Sequence, residues 1–277
     1  MHRLLTVAAA LGLAMGAAPL AGACENCKSE YKQGTYLGGV TRVGNGSAYS
    51  WVTLNEKGKP SALGITLTET ALAGLPTKAP DGAIFLEYPL GLPKQADKTP
   101  FDHVVLNWNP QGHIPPGIYT VPHFDMHFYT ITEADRARIT LKGDDLARCQ
   151  KTVPATYMAP GYIRAPGGEE PMMGAHWVDL SCPEFKGQPF TKSMLFGSYD
   201  GKPIFTEPMV TLEFLTRKTD VSESIKQAPA VMKSGFYPTA FTIRHDPVRH
   251  EVHIAMGDMK WREASPSKPI PPQSAAR

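Results

Sequence analysis

Residues 4–18 are apolar apart from Thr6, and from residue 47 onward apolar and polar positions alternate over short stretches. The first pattern has the length of a signal-peptide core; the second is the period of strands with one buried face. Met1-His2-Arg3 gives the apolar run a positive start, Pro19 breaks it, and Ala21-Gly22-Ala23 offers small residues at the last and third-last positions. Residues 1–23 therefore read as a signal peptide cleaved after Ala23. An uncleaved anchor would be followed by a basic cluster. A lipoprotein acylated at Cys24 would carry Leu where Ala21 stands. All three readings export the chain.

Residues 24–46 form a polar segment without clear period. Strands are expected at 47–55 and 61–68, joined as a hairpin by Glu56-Lys57-Gly58-Lys59-Pro60. Further strands are expected at 83–88, 103–108, 118–132, 175–180, 194–199 and 204–217, with a last hairpin from 240–244 and 251–256. Short helices are expected at 68–76 with Thr68 as cap, at 133–138, at 144–150 and at 221–233. Residues 159–174 read as a Pro/Gly loop long enough to be a lid, and 265–277 as a disordered tail. Many strands, 26 prolines and few helices give a mainly β (α+β) class. The architecture expected is an antiparallel barrel or sandwich with a few short helices, in one domain over 47–264.

Charge is nearly balanced, with 28 Lys+Arg against 26 Asp+Glu, and no basic stripe is present. That removes nucleic acid as a partner. Beyond the leader no segment is long and apolar enough to span a bilayer. There is no Walker loop, Rossmann fingerprint or His-Glu-x-x-His helix, and Gly197-Ser198-Tyr199-Asp200-Gly201 lacks nucleophile-elbow spacing. The four cysteines, Cys24, Cys27, Cys149 and Cys182, read as two disulfides in an oxidising compartment. Cys24–Cys27 with Cys149–Cys182 is the simplest of three connectivities. Cys24-Glu25-Asn26-Cys27 has the spacing of a redox site, but at the expected mature terminus a crosslink is the better reading.

Chemistry concentrates in Asn107-Trp108-Asn109-Pro110-Gln111-Gly112-His113 and Pro122-His123-Phe124-Asp125-Met126-His127-Phe128-Tyr129. Period two puts His123, Asp125, His127 and Tyr129 on one strand face and Phe124, Met126 and Phe128 on the other. Residues four apart on a strand are roughly 13 Å apart, so His123 and His127 do not share one ion without a bulge. Asp125 with one histidine is the local pair; His113, His176 and Glu207 are the candidates to complete it. The candidate metal ligands are thus His113, His123, Asp125, His127, His176 and Glu207, for a divalent metal ion, zinc before copper. Met126, Met172, Met173 and Met209 read as core filler. His245, His250 and His253 surround a hairpin turn and read as solvated. The competing reading of the central histidines is a sheet face hydrogen-bonded to Asp and Tyr that binds nothing.

Trp108-Asn109-Pro110-x-Gly112-His113 followed by Pro122-His123-Phe124-Asp125-x-His127-Phe128-Tyr129 resembles a family of exported bacterial proteins with a domain of unknown function. Segments 49–76, 174–179 and 197–211 extend the resemblance over most of 40–260. It implies a β-rich domain, ring-like homo-oligomers and a periplasmic or secreted location; it assigns no reaction and does not place the cysteines.

Two functions follow. One is an exported metal-dependent enzyme, a hydrolase or isomerase acting on a small polar molecule, with the 159–174 loop closing the site. The other is a non-catalytic envelope protein, ligand-binding or an oligomeric scaffold. Convergence of the side chains in a concave pocket distinguishes the enzyme from an open-faced scaffold.

Overall fold

The computed structural model describes residues 24–26, 30–80 and 82–265. The predicted leader, Cys27 of the expected Cys24–Cys27 pair, and the tail beyond Ser265 lie outside the described residues.

The strands, in chain order, begin with β1 (Gly34–Val43), β2 (Gly46–Leu54), β3 (Pro60–Thr68), β4 (Leu86–Gly91), β5 (His103–Asn109), β6 (His123–Tyr129), β7 (Tyr162–Glu170) and β8 (Gly174–Asp179). They continue with β9 (Lys192–Tyr199), β10 (Lys202–Thr211), β11 (Val221–Ser224), β12 (Gly235–Tyr237), β13 (Ala240–Asp246), β14 (Glu251–Gly257) and β15 (Lys260–Arg262). Two antiparallel sheets run β1-β2-β3-β14-β13-β11 and β4-β5-β6-β10-β9-β8-β7, and β12 pairs β15 separately. Neither large sheet closes on itself. The fold is mainly β and sandwich-like, not a barrel.

Alternation explains the layering. Phe124, Met126 and Phe128 of β6 turn inward, join Leu106 of β5 and Val210 of β10, and meet Val52, Leu63, Ile65 and Ile254 of the first sheet. Each is fully buried or nearly so, and burial of that kind stabilises by about 1.5–3 kcal/mol per side chain. The other face of β6 is also buried. Tyr119 packs there with Val178, Leu195 and Met209, and Ile139 and Met173 pack with Tyr129 and Phe205. Connections after β5, after β6 and around the β7–β8 turn therefore roof the second sheet.

Three expectations are corrected. The segment 24–46 contains β1, which pairs antiparallel with β2 at the edge of the first sheet. Leu37 and Val40 of this edge strand point to solvent, so no clean alternation marks it. Residues 159–174 are not an open loop but hold β7, whose pairing with β8 breaks between Arg164 and Glu169. Ala165-Pro166-Gly167-Gly168 fills that break, because Pro166 has no amide to give and Gly167 takes φ +68°. The helix expected at 221–233 is instead β11, with Val221 opposite Ile243, followed by irregular chain. Pro229 forbids a continuous helix, and Val221-Ser222-Glu223-Ser224 pairs as a short ladder.

The Cys149–Cys182 disulfide is also corrected: both are free thiols. Cys149 is buried at the end of a short helix, Asp145–Cys149, whereas Cys182 follows β8 at the start of the turn Pro183–Lys186, with the Ser193 hydroxyl 4.0 Å from its sulfur.

Candidate metal centre

The roofed face of the second sheet is polar at its middle. In β5–β6 register Asn109 lies opposite His123, Asn107 opposite Asp125, and Val105 opposite His127. On the other side of β6, Met209 of β10 pairs Asp125 and Thr206 pairs Phe128, which brings Glu207 opposite His127. The pairing with β6 skips Glu207 and Pro208, which both keep partners in β9, and alternation along β10 puts Glu207 on the same face as Phe205 and Met209.

The six candidate ligands gather as two trios, His113 with His123 and Asp125, and His127 with His176 and Glu207. In each trio one donor atom per residue lies within 4.8 Å of the others. Nε2 of His113 is 3.3 Å from Oδ2 of Asp125, and Nε2 of His123 is 3.1 Å from Oδ1. Nε2 of His127 is 3.4 Å from Oε1 of Glu207, and Nε2 of His176 is 3.6 Å from Oε2. Because Asp125 and His127 are successive outward positions of β6, the trios sit side by side. His123 and His127 do not share a trio, as strand spacing requires.

Two local devices bring in the distant members. Gly112 adopts φ +68°, and a Cβ there would meet the Tyr119 carbonyl at 2.1 Å. Only glycine lets the chain double back, so that the His113 amide donates to the Tyr119 carbonyl (3.0 Å) with the imidazole over Asp125. His176 must reach Glu207 across β9. The β9 residue opposite His176 is Gly197, which presents no side chain, and the Phe205 ring lies over it. That ring also stands edge-on to His127 and tilted to His176, at 4.8 and 5.2 Å between centroids, forming a wall of the second trio.

The hydrogen bonds decide what the histidines offer. Nδ1 of His113 donates to the Ile114 carbonyl, Nδ1 of His123 to the Val121 carbonyl, and Nδ1 of His176 to the Gly168 carbonyl, at 2.6–2.7 Å. Nδ1 of His127 donates to Oδ1 of Asn107 at 3.0 Å. A carbonyl only accepts, so Nδ1 carries the hydrogen and, in neutral imidazole, Nε2 carries a lone pair. Four such lone pairs face two carboxylates. Nε2 of His123 and His127, Oδ1 of Asp125 and Oε2 of Glu207 are buried without a hydrogen-bond partner. One proton per trio can bridge one nitrogen–oxygen pair and leaves the other repelling. A cation satisfies all three donors at once. Donors held about 2.0–2.2 Å from one tetrahedral ion lie about 3.3–3.6 Å apart, close to the separations found here.

Asparagines complete the frame. Nδ2 of Asn109 donates to Oδ2 of Asp125 at 2.7 Å, and Asn107 fixes His127. Supports of this kind set the tautomer and orientation of metal ligands. Both asparagines stand in the Asn107–His113 motif, where residue type alone assigns them no role; the signal that could have found them is their period-two spacing on β5, in step with the β6 ligands.

Electrostatics separates the trios. Burial pushes the Glu207 carboxyl well above the usual range, and the nearby Asp125 adds to the shift. Burial, then the neighbouring His176, holds His127 well below the ordinary histidine value. Burial lowers His176 to about 4 against the pull of the Gly168 carbonyl. Burial opposes ionisation of both Asp125 and His113. For Asp125 the positive charge offered by His123 and then His113 outweighs it, and its pKa falls well below normal. For His113 the Asp125 carboxylate outweighs it and the pKa rises. Without a cation the first trio is thus an ion pair, and the second a protonated carboxyl between neutral imidazoles.

His245, His250 and His253 lie away on the β13–β14 hairpin of the first sheet; of the three, expected to be solvated, only His250 is exposed, while the His245 side chain is largely enclosed against the Leu215 carbonyl and His253 is half-buried against Thr66. The donors of both trios are nitrogen and oxygen atoms.

A family described as "TTHB210-like: Hypothetical protein TTHB210" matches residues 55–108. The matched stretch runs from before β3 into β5, includes Asn107, and stops short of all six candidate ligands. It fits a resemblance to an uncharacterised family and carries no activity. No curated protein and no solved structure matches the chain.

Proposed function

We propose that this protein is an exported metal-dependent hydrolase that holds one divalent cation in each trio, zinc before other metals. The observation behind this reading is that four imidazole Nε2 atoms, fixed by Nδ1 donation to carbonyl oxygens, face two carboxylates at 3.1–3.6 Å. Two histidines and one carboxylate per ion leave a position open for water, and a metal-bound water ionises near neutral pH. Five of the six side chains (all but His123) line one cavity of about 430 Å³, which supports catalysis over an open-faced scaffold. The all-nitrogen-and-oxygen donor set favours zinc over copper with methionine; it also suits ferrous iron, so metal analysis must read both. The leader pattern of residues 1–23 supports a periplasmic or secreted location.

The test is elemental analysis of protein exported and purified without chelator, followed by cobalt substitution. The reading expects bound divalent metal and a visible cobalt spectrum of low coordination number that shrinks in His127→Ala while the far-ultraviolet spectrum is kept. Protein that takes up neither zinc, iron nor cobalt would contradict it.

A further inference from the structure

The cavity above the trios is walled by Ile84, Ile114, Ile118, Ile163, Val178 and Leu180, with Pro115 and Pro116 beside them. No Lys, Arg, Ser, Thr, Asn or Gln is among the residues that line it. Its polar groups are the five candidate ligands at the floor, Glu169 and Glu170 at the β7 bulge, and the Tyr119 hydroxyl. Two of these are already engaged: Glu169 pairs with Arg164 at 2.9 Å, and the Tyr119 hydroxyl donates to Glu184 at 3.4 Å. A sugar, nucleotide or peptide in this space would bury many hydroxyls or amides against isoleucine and proline, where besides the candidate ligands only Glu170 is a free side-chain partner.

The rim agrees with the walls. Ile84 is 50% exposed, Ile114 51%, Ile163 42% and Leu180 43%, and all four belong to this one cavity. Large apolar side chains left in water around a concave site mark where an apolar group docks.

Resting on the metal reading for its polar end, we propose that the site takes a small amphipathic molecule: a single carboxylate or ester head at the trios, and an unfunctionalised hydrocarbon body along the isoleucine wall. This replaces the small polar substrate expected from the sequence. The histidine-rich floor is legible in the motif, whereas the wall comes from four separate segments.

The test uses zinc-loaded protein and a series of carboxylate probes followed by calorimetry: butyrate, hexanoate, octanoate, and octanedioate as an equal-length control. Each methylene buried should tighten binding about threefold to fourfold, so octanoate should exceed butyrate by about a hundredfold. Octanedioate should bind no better than butyrate. The double variant Ile84→Ser, Ile163→Ser changes two half-exposed side chains; it should lose about tenfold for octanoate while keeping its metal and its butyrate affinity. Affinities independent of chain length, or octanedioate equal to octanoate, on a metal-loaded protein would overturn the proposal and leave the metal reading standing. Should no metal bind, 1-octanol against 1-butanol tests the wall alone. Preference for octanol would uphold the apolar body and sink the metal reading; no preference would sink both.

Discussion

Nδ1 of His127 donates to Oδ1 of Asn107 across the β5–β6 pair, 3.0 Å away and out of reach of solvent. That bond, not the histidine alone, aims Nε2 at Glu207. Asn107→Ala should therefore weaken metal at the second trio about 10–100-fold. The expected loss of stability is only about 1 kcal/mol. Asn107→Asp, which keeps an acceptor for Nδ1, should recover most of the affinity. Competition with a chromophoric chelator reads the affinity and thermal unfolding the stability; unchanged affinity in Asn107→Ala would remove the support role.

Gly197 is a packing requirement with consequences for the site. A Cβ at this position would lie 2.0 Å from Cε1 and Cζ of Phe205. Gly197→Ala should displace the ring, lower stability by about 1–3 kcal/mol and loosen the His127–His176–Glu207 trio. Chemical denaturation and metal binding measure the two effects. Full stability with full affinity would mean the ring moves freely and walls nothing.

Metal affinity should rise with pH. In the ion-free protein Glu207 keeps its proton because burial raises its pKa, and His113 keeps one because Asp125 outweighs burial. A cation must expel one proton from each trio, so affinity gains up to about tenfold per pH unit per ion while these groups remain protonated, and levels off above their pKa values. Zinc titrations from about pH 6 to pH 8, in buffers of different ionisation enthalpy, report both the slope and the released protons. A flat profile without proton release contradicts the assignment.

The two free thiols should be sluggish. Burial lifts Cys149 to about 11, aided by Glu169 and Asp145, and Cys182 to about 11, aided by Glu184 and Asp179. At pH values near neutrality both are protonated and poor nucleophiles. Alkylation without reducing agent should label them slowly in the native protein and rapidly after denaturation. A bridged Cys149–Cys182 peptide would contradict the fold around β7 and β8.

The sequence was most legible where one residue pattern decides one structure. Period two in His123–Tyr129 gave β6, its two faces, and the separation of His123 from His127. It was silent where the structure depends on what lies next door. β1 is an edge strand whose Leu37 and Val40 face water, so its pattern resembles loop; β7 hides behind its Pro-Gly-Gly bulge. The distant ligands His176 and Glu207 were found by type and turn context, but their route to β6 depends on Gly197, a residue with no chemistry of its own. The cysteine pairing failed for a plainer reason. An even count says nothing of where the fold puts each thiol, Cys149 at the end of a short helix and Cys182 in the turn after β8.

The central claim is that each trio is a chelate for one divalent ion. The most direct measurement is metal stoichiometry per chain by elemental analysis, in wild type, His113→Ala, His176→Ala and the double variant, each confirmed folded. His113 and His176 are the least buried member of each trio, so their loss disturbs packing least. The account predicts two ions in the wild type, one in each single variant and none in the double variant. A wild type that retains no divalent ion, or a double variant that retains as much as the wild type, contradicts it.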